Sequence, residues 1–275
     1  MIPPEFLIPP DSSTWIERMI AGVHAAEEVI GRPLRRTFGG TKSNVTKRDV
    51  PDLAKYFKTK SKTKSRTIEL FYNRCVDPTQ RPHVHEYYNY AGQMDYTALV
   101  YRCSLHYPGA AFKAAESFLV RVGDALQAHS GQYCPRDSWV RYSQAHWCSG
   151  LEDNLYIRPP ADRTAAESKL PLIYDAAYGG HEHELQPRYI GWLNYWSADV
   201  CSYLNFPGAL KGSPILDRCY QTPRGAWLIK IADEPLRVRN DDDAELLLEL
   251  YERFPRVGVR KSRDEIREWL PPLPS

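Results

Sequence analysis

Segments with helical apolar spacing and short β-rich runs alternate irregularly along this chain, and that irregularity is its strongest constraint on fold. A doubly wound α/β protein needs a regular strand–helix–strand rhythm. Here the helical pattern Ala111, Ala115, Phe118, Leu119, Val122, Leu126 follows two β-rich runs, Thr67–Tyr72 and Tyr96–Leu105. Further helical patterns run from Thr14 to Ile30, after Pro51, from Arg188 to Leu204 and from Asp241 to Phe254. Further strands are expected at Leu170–Tyr174 and Gly225–Ile231. The fold class that follows is α+β, an antiparallel or mixed sheet with helices packed on it. The 275 residues read as a single unit over 1–275. The break at Pro159-Pro160 offers the alternative of two tightly packed, related halves, 1–158 and 161–275.

Local signals place the ends of these elements. Thr14 with Glu17 forms a capping-box pattern, and Gly31 with Pro33 ends that helix. Ser130-Gly131 closes the central helix, and Ser262 with Glu265 opens a last short one. Pro3, Pro4, Pro9 and Pro10 make the opening an extended lead-in segment.

Charge is uneven. Residues 32–66 hold twelve Lys/Arg against Asp49 and Asp52, whereas the whole chain carries only +2, so the rest is net negative. Such a stretch could grip phosphates, with Phe38, Tyr56 and Phe57 interleaved for stacking. Leu53 and Phe57, however, fit the inner face of a helix, and Thr59-Lys60-Ser61-Lys62-Thr63-Lys64-Ser65 reads as a solvated loop. Nucleic-acid binding is therefore disfavoured. The six cysteines lack C-x-x-C spacing, which suits reduced thiols in a cytoplasmic protein better than zinc or a disulfide framework. The start lacks the charge and apolar core of a signal peptide, and no apolar run approaches the roughly 20 residues that span a bilayer. Membrane association is not expected.

No complete catalytic motif is present. There is no G-x-S-x-G, and Gly39-Gly40-Thr41-Lys42 lacks the first glycine of a phosphate loop and reads as a turn. His83-Val84-His85-Glu86 and His181-Glu182-His183-Glu184 supply ligand types that suit zinc or iron. Nearly a hundred residues separate them, so only the fold could join them. The simpler reading is polar loops, and neither a metal nor another cofactor is expected. The competing enzyme reading is a metal-dependent hydrolase using His83, His85, His181 and His183.

Binding has better support. Tyrosine outnumbers phenylalanine 18 to 8, and tyrosine suits surfaces that need a flat apolar face and a hydrogen bond together. Tyr87, Tyr88 and Tyr90 fall in one loop-like segment, and Tyr178 precedes the second His/Glu cluster. Asp241, Asp242 and Asp243 stand at a helix start, where acids cap free N–H groups and complement the helix dipole.

The strand Thr67–Tyr72, the helix containing Phe112-Lys113-Ala114-Ala115-Glu116-Ser117-Phe118-Leu119, the turn Ser130-Gly131-Gln132-Tyr133 and the helix opening Tyr189-Ile190-Gly191-Trp192-Leu193-Asn194 occur in an order that resembles the type VI secretion immunity family. That resemblance implies a non-enzymatic cytoplasmic protein that binds a cognate secreted toxin and blocks it, the toxin often being a nuclease. The partner-binding candidates are then Tyr87, Tyr88, Tyr90, Tyr178, His181, Glu182, His183, Glu184, Asp241, Asp242 and Asp243. Acidic residues among them would complement a basic nuclease cleft.

Overall fold

A computed structural model of the chain describes residues 5–8, 14–31, 33–34, 36–39, 46–61, 67–74, 86–94, 99–106, 111–133, 173–174, 185–237 and 240–260. The architecture is α+β, as the irregular alternation implies. Ten strands form one sheet, in the order β10-β11-β9-β7-β1-β6-β5-β4-β2-β3. These are β1 (Glu5–Ile8), β2 (Arg36–Gly39), β3 (Thr46–Asp49), β4 (Thr67–Arg74), β5 (Glu86–Met94), β6 (Leu99–His106), β7 (Ser130–Tyr133), β9 (Leu193–Trp196), β10 (Tyr220–Gln221) and β11 (Trp227–Lys230). Two short strands, β8 (Ile173–Tyr174) and β12 (Val259–Arg260), pair separately. Every described strand pair is antiparallel. The helices are α1 (Trp15–Ile30), α2 (Leu53–Ser61), α3 (Ala111–Leu126), α4 (Ala198–Leu204) and α5 (Asp241–Arg253).

The middle of the sheet is covered on both faces. Successive strand residues point to opposite sides. Tyr195 packs its ring against Gly123 of α3, whereas its neighbour Trp196 meets Phe206 and Phe254, with ring centroids 5.7 and 5.2 Å away. One layer is thus α3 with α1 on it, and the other holds Phe206 and the end of α5. All four residues of β7 and all four of β9 are buried as a result.

This double coverage explains one correction. The stretch Arg188–Leu204 reads as a helix, but the structure has β9 over Leu193–Trp196, followed by α4 from Ala198. A strand buried on both faces loses its two-residue alternation, so its apolar run imitates a helical face. Ser197 makes the switch: its hydroxyl caps α4 by accepting from Val200 N–H at 3.3 Å.

The opening segment is the second correction. It is extended, as its prolines suggest, yet it is not a peripheral lead-in. Residues Glu5–Ile8 form β1, paired on one side with β6 and on the other with β7. Phe6, Leu7 and Ile8 are buried. Prolines at 4 and 9 cannot donate to a ladder, which suits a strand this short. Likewise Ser130-Gly131 does not end α3, which stops at Leu126 with Gln127 at φ 51; it begins β7.

Other elements follow their sequence signals. Met19 and Val23 of α1 and Ala115, Phe118, Leu119, Val122 and Leu126 of α3 are buried. Gly31 ends α1 at φ +66, the left-handed region that glycine enters without strain, and its N–H donates to Glu27 O. The capping box expected of Thr14 and Glu17 is not formed: Thr14 precedes α1 at φ -111 and ψ 0, without a side-chain cap hydrogen bond. Leu53 and Phe57 of α2 are buried, as a helix's inner face requires. Strands β2 and β3 pair with Gly39 opposite Thr46; the turn expected at Gly40-Thr41-Lys42 lies outside the described residues. The helix expected after Ser262 lies outside the described residues.

Candidate partner-binding site

Helix α5 builds an exposed charged face. It starts at Asn240, whose side-chain carbonyl accepts from Asp243 N–H at 3.1 Å. The Asp243 carboxylate accepts from Arg237 N–H at 2.8 Å, closing the turn that leads in. Ala244, Leu247, Leu250 and Tyr251 are buried, and the Tyr251 hydroxyl accepts from Ile190 N–H at 3.1 Å. One side of the helix is thereby fixed against the core.

The opposite side is acidic. Asp241, Asp242, Glu245, Glu249 and Glu252 are all exposed, and steps of three or four residues stack them on one helical face. Their spacing lies within the roughly 8 Å screening length of physiological salt, so their fields add. Arg253 donates to Glu249 at 2.8 Å and also to Ala209 O at 3.1 Å. A surface pair of this kind contributes little stability and offsets only part of the charge. The face offers a rigid row of carboxylates to a cationic surface.

The residues singled out in the sequence fare unequally. Asp241 and Asp242 belong to this face, whereas Asp243 is turned into the cap. Tyr87, Tyr88 and Tyr90 do not lie in a loop. They belong to β5, opposite Asn73, Tyr72 and Leu70 of β4 and His106, Leu105 and Cys103 of β6. The intervening polar residues Glu86 and Asn89 hid a strand that has neighbours on both edges. Tyr178, His181, Glu182, His183 and Glu184 lie outside the described residues, as do His83 and His85. Among the described residues, no group of three or more His, Cys, Asp or Glu is placed to hold a metal ion. Glu245, Glu249 and Glu252 were missed, although their three- and four-residue steps beyond Asp241 and Asp242 carry the signal.

The basic stretch is distributed over β2, β3 and α2. Lys55 and Lys58 are exposed on α2. Its aromatic neighbours serve packing: Phe57 is buried and meets Tyr56 edge-on at 5.7 Å. No described helix is long and apolar enough to cross a membrane.

A second polar cluster ties elements together. Asp124 of α3 accepts from the Tyr195 hydroxyl and from the Thr222 hydroxyl, each at 2.9 Å. Lys230 of β11 pairs with Glu116 of α3 at 2.9 Å and with Asp233 at 3.4 Å. Hydrogen bonding to Glu116 raises the Lys230 pKa. These contacts fix α3 on the sheet.

The family described as "Domain of unknown function (DUF5953)" matches residues 60–262. No curated protein matches the chain. Among solved structures, the fold is similar to that of the "Pseudomonas aeruginosa T6SS protein PA0821", with a TM-score of 0.53 and 10% sequence identity over 94% of this chain and 73% of that one.

Proposed function

The chain belongs to the DUF5953 family, and from that premise we propose that this member serves bacterial type VI secretion as an immunity-type protein. It acts in the cytoplasm by binding one cognate toxin and occluding it, without catalysing a reaction. The acidic outer face of α5 carries this reading. Five exposed carboxylates on a helix anchored by its own cap and core contacts make a preorganised surface for a basic protein cleft. A nuclease toxin, which must grip phosphates, has a cleft of that charge. The fold likeness to a type VI secretion protein supports the setting.

The test is co-expression with the product of the neighbouring gene. The expected result is rescue of growth and co-purification of the two proteins. A double charge reversal, Glu245→Lys with Glu249→Lys, should leave the fold intact while slowing association by about tenfold or more at low salt, because charge acts mainly on encounter. Failure of the wild type to rescue would defeat the immunity reading. Rescue that is indifferent to both reversals would move the contact surface away from α5.

A further inference from the structure

Strands β7 and β9 are direct partners near the middle of the sheet. Ser130 lies opposite Trp196, and Gln132 lies opposite Asn194. Alternation puts these four side chains on one face, the side on which Trp196 meets Phe254. Ser130, Gln132 and Asn194 are 0% exposed and Trp196 is 1% exposed. Opposed residues in an antiparallel pair are close enough for their side chains to bond.

They do not bond to each other. Asn194 directs both ends of its amide to Gly191, accepting from its N–H at 2.7 Å and donating to its carbonyl at 2.9 Å. Gln132 is left facing an amide whose oxygen and nitrogen are both already engaged. Its Nε2 and Oε1, the Ser130 hydroxyl and the Trp196 Nε1 have no hydrogen-bond partner among the described residues. Folded proteins satisfy nine in ten or more of such buried groups, with protein or with ordered water.

The geometry points to a buried polar site at Ser130, Gln132 and Trp196 that holds a small uncharged ligand with both donor and acceptor atoms. The four unpartnered atoms set that chemistry. The indole N–H and the Gln132 amide N–H need an acceptor, Gln132 Oε1 needs a donor, and the Ser130 hydroxyl takes either role. None of them is ionised, so a charged occupant would be desolvated without compensation. Two sources share the chemistry: a cluster of water molecules, or a compact neutral amide or alcohol retained from the cell.

Thermal melting of the full-length protein tests this with Gln132→Met, which keeps length and removes both polar atoms, and with Ser130→Ala. An occupied site loses partners in either variant, and Tm falls by roughly 2–6 °C. In an empty site, deletion of unpaired buried polar atoms leaves Tm unchanged or raises it, and that result overturns the inference. If Gln132→Met fails to fold, the smaller Ser130→Ala change decides alone. Native mass spectrometry and water-oxygen relaxation dispersion then separate the sources. Extra mass released on denaturation identifies a retained small molecule. Long-lived water present in the wild type and reduced in Ser130→Ala identifies solvent. Neither extra mass nor a difference in long-lived water overturns the inference.

Discussion

The Tyr195 hydroxyl donates to Asp124 Oδ1 across 2.9 Å and so locks the fully buried strand β9 to helix α3. Thr222, in the turn between β10 and β11, donates to the same oxygen at the same distance. Gly123 beside Asp124 allows the approach, since a Cβ there would lie 2.8 Å from the Tyr195 ring. One carboxylate therefore coordinates a helix, a central strand and a turn near the sheet edge.

The Tyr195 contact predicts an alkaline loss of stability. Burial first, and Asp124 second, hold the phenol's pKa above the usual tyrosine range. The folded value exceeds the unfolded value of about 10. The contribution is thus complete below pH ~10 and is lost as pH rises toward the folded value. Denaturant unfolding between pH 7 and 11 should show this decline. Tyr195→Phe should shrink it while costing about 1 kcal/mol at neutral pH. An unchanged alkaline slope in Tyr195→Phe would assign the loss elsewhere.

Strand β1 predicts that the opening segment is indispensable. Phe6 is fully buried, and a Cβ on its neighbour Gly131 would lie 2.5 Å from the Phe6 ring. Phe6→Ala should cost about 3–5 kcal/mol, as large-to-small core changes do. Deletion of residues 1–8 should prevent folding, because β6 and β7 would lose their shared partner. A truncated chain that melts like the wild type would show that β1 is dispensable.

What the sequence disclosed and what it concealed follow from the same packing. Helices α1, α3 and α5 each lie with one face inward, so their apolar spacing survives in the sequence. Strand β11 is legible because its ends are half-exposed while Leu228 and Ile229 are buried. Strand β9 is not, since Leu193, Asn194, Tyr195 and Trp196 are all interior and carry no alternation. Strand β1 is only four residues long and sits among prolines, which read more readily as linker. On α5, the aspartates stood out as a run, whereas Glu245, Glu249 and Glu252 join them only once the helix is wound. Asp124, Tyr195 and Thr222 are too far apart in sequence for any local pattern to connect them.

The cap of α5 separates structural from surface acids. Asn240→Ala removes the acceptor for Asp243 N–H and should cost about 1 kcal/mol. Asp243→Ala frees the Arg237 N–H and should also destabilise. Asp241→Asn and Asp242→Asn should have smaller effects, acting only through the helix dipole. Melting curves of the four variants check the order. Asp241 or Asp242 proving as costly as Asn240 would mean that the exposed pair also supports the fold.

The thiols Cys201 and Cys219 predict slow chemistry at neutral pH. Burial, and then the neighbouring Cys219, pushes the Cys201 pKa up to about 12. Burial raises Cys219 as well, with a Lys230 backbone hydrogen bond and the Arg218 charge working against it. The thiolate is the reactive form, so both should alkylate far more slowly than a free cysteine at pH 7.5. Cys201, inside α4 and bonded to Trp196 O at 3.7 Å, should wait for opening of the helix. Half-exposed Cys219 should label first. Peptide mass mapping after timed alkylation distinguishes the two from the other cysteines. Urea below the unfolding transition should accelerate Cys201 more than Cys219. Native labelling of Cys201 at the rate of a free thiol would contradict its place in the core.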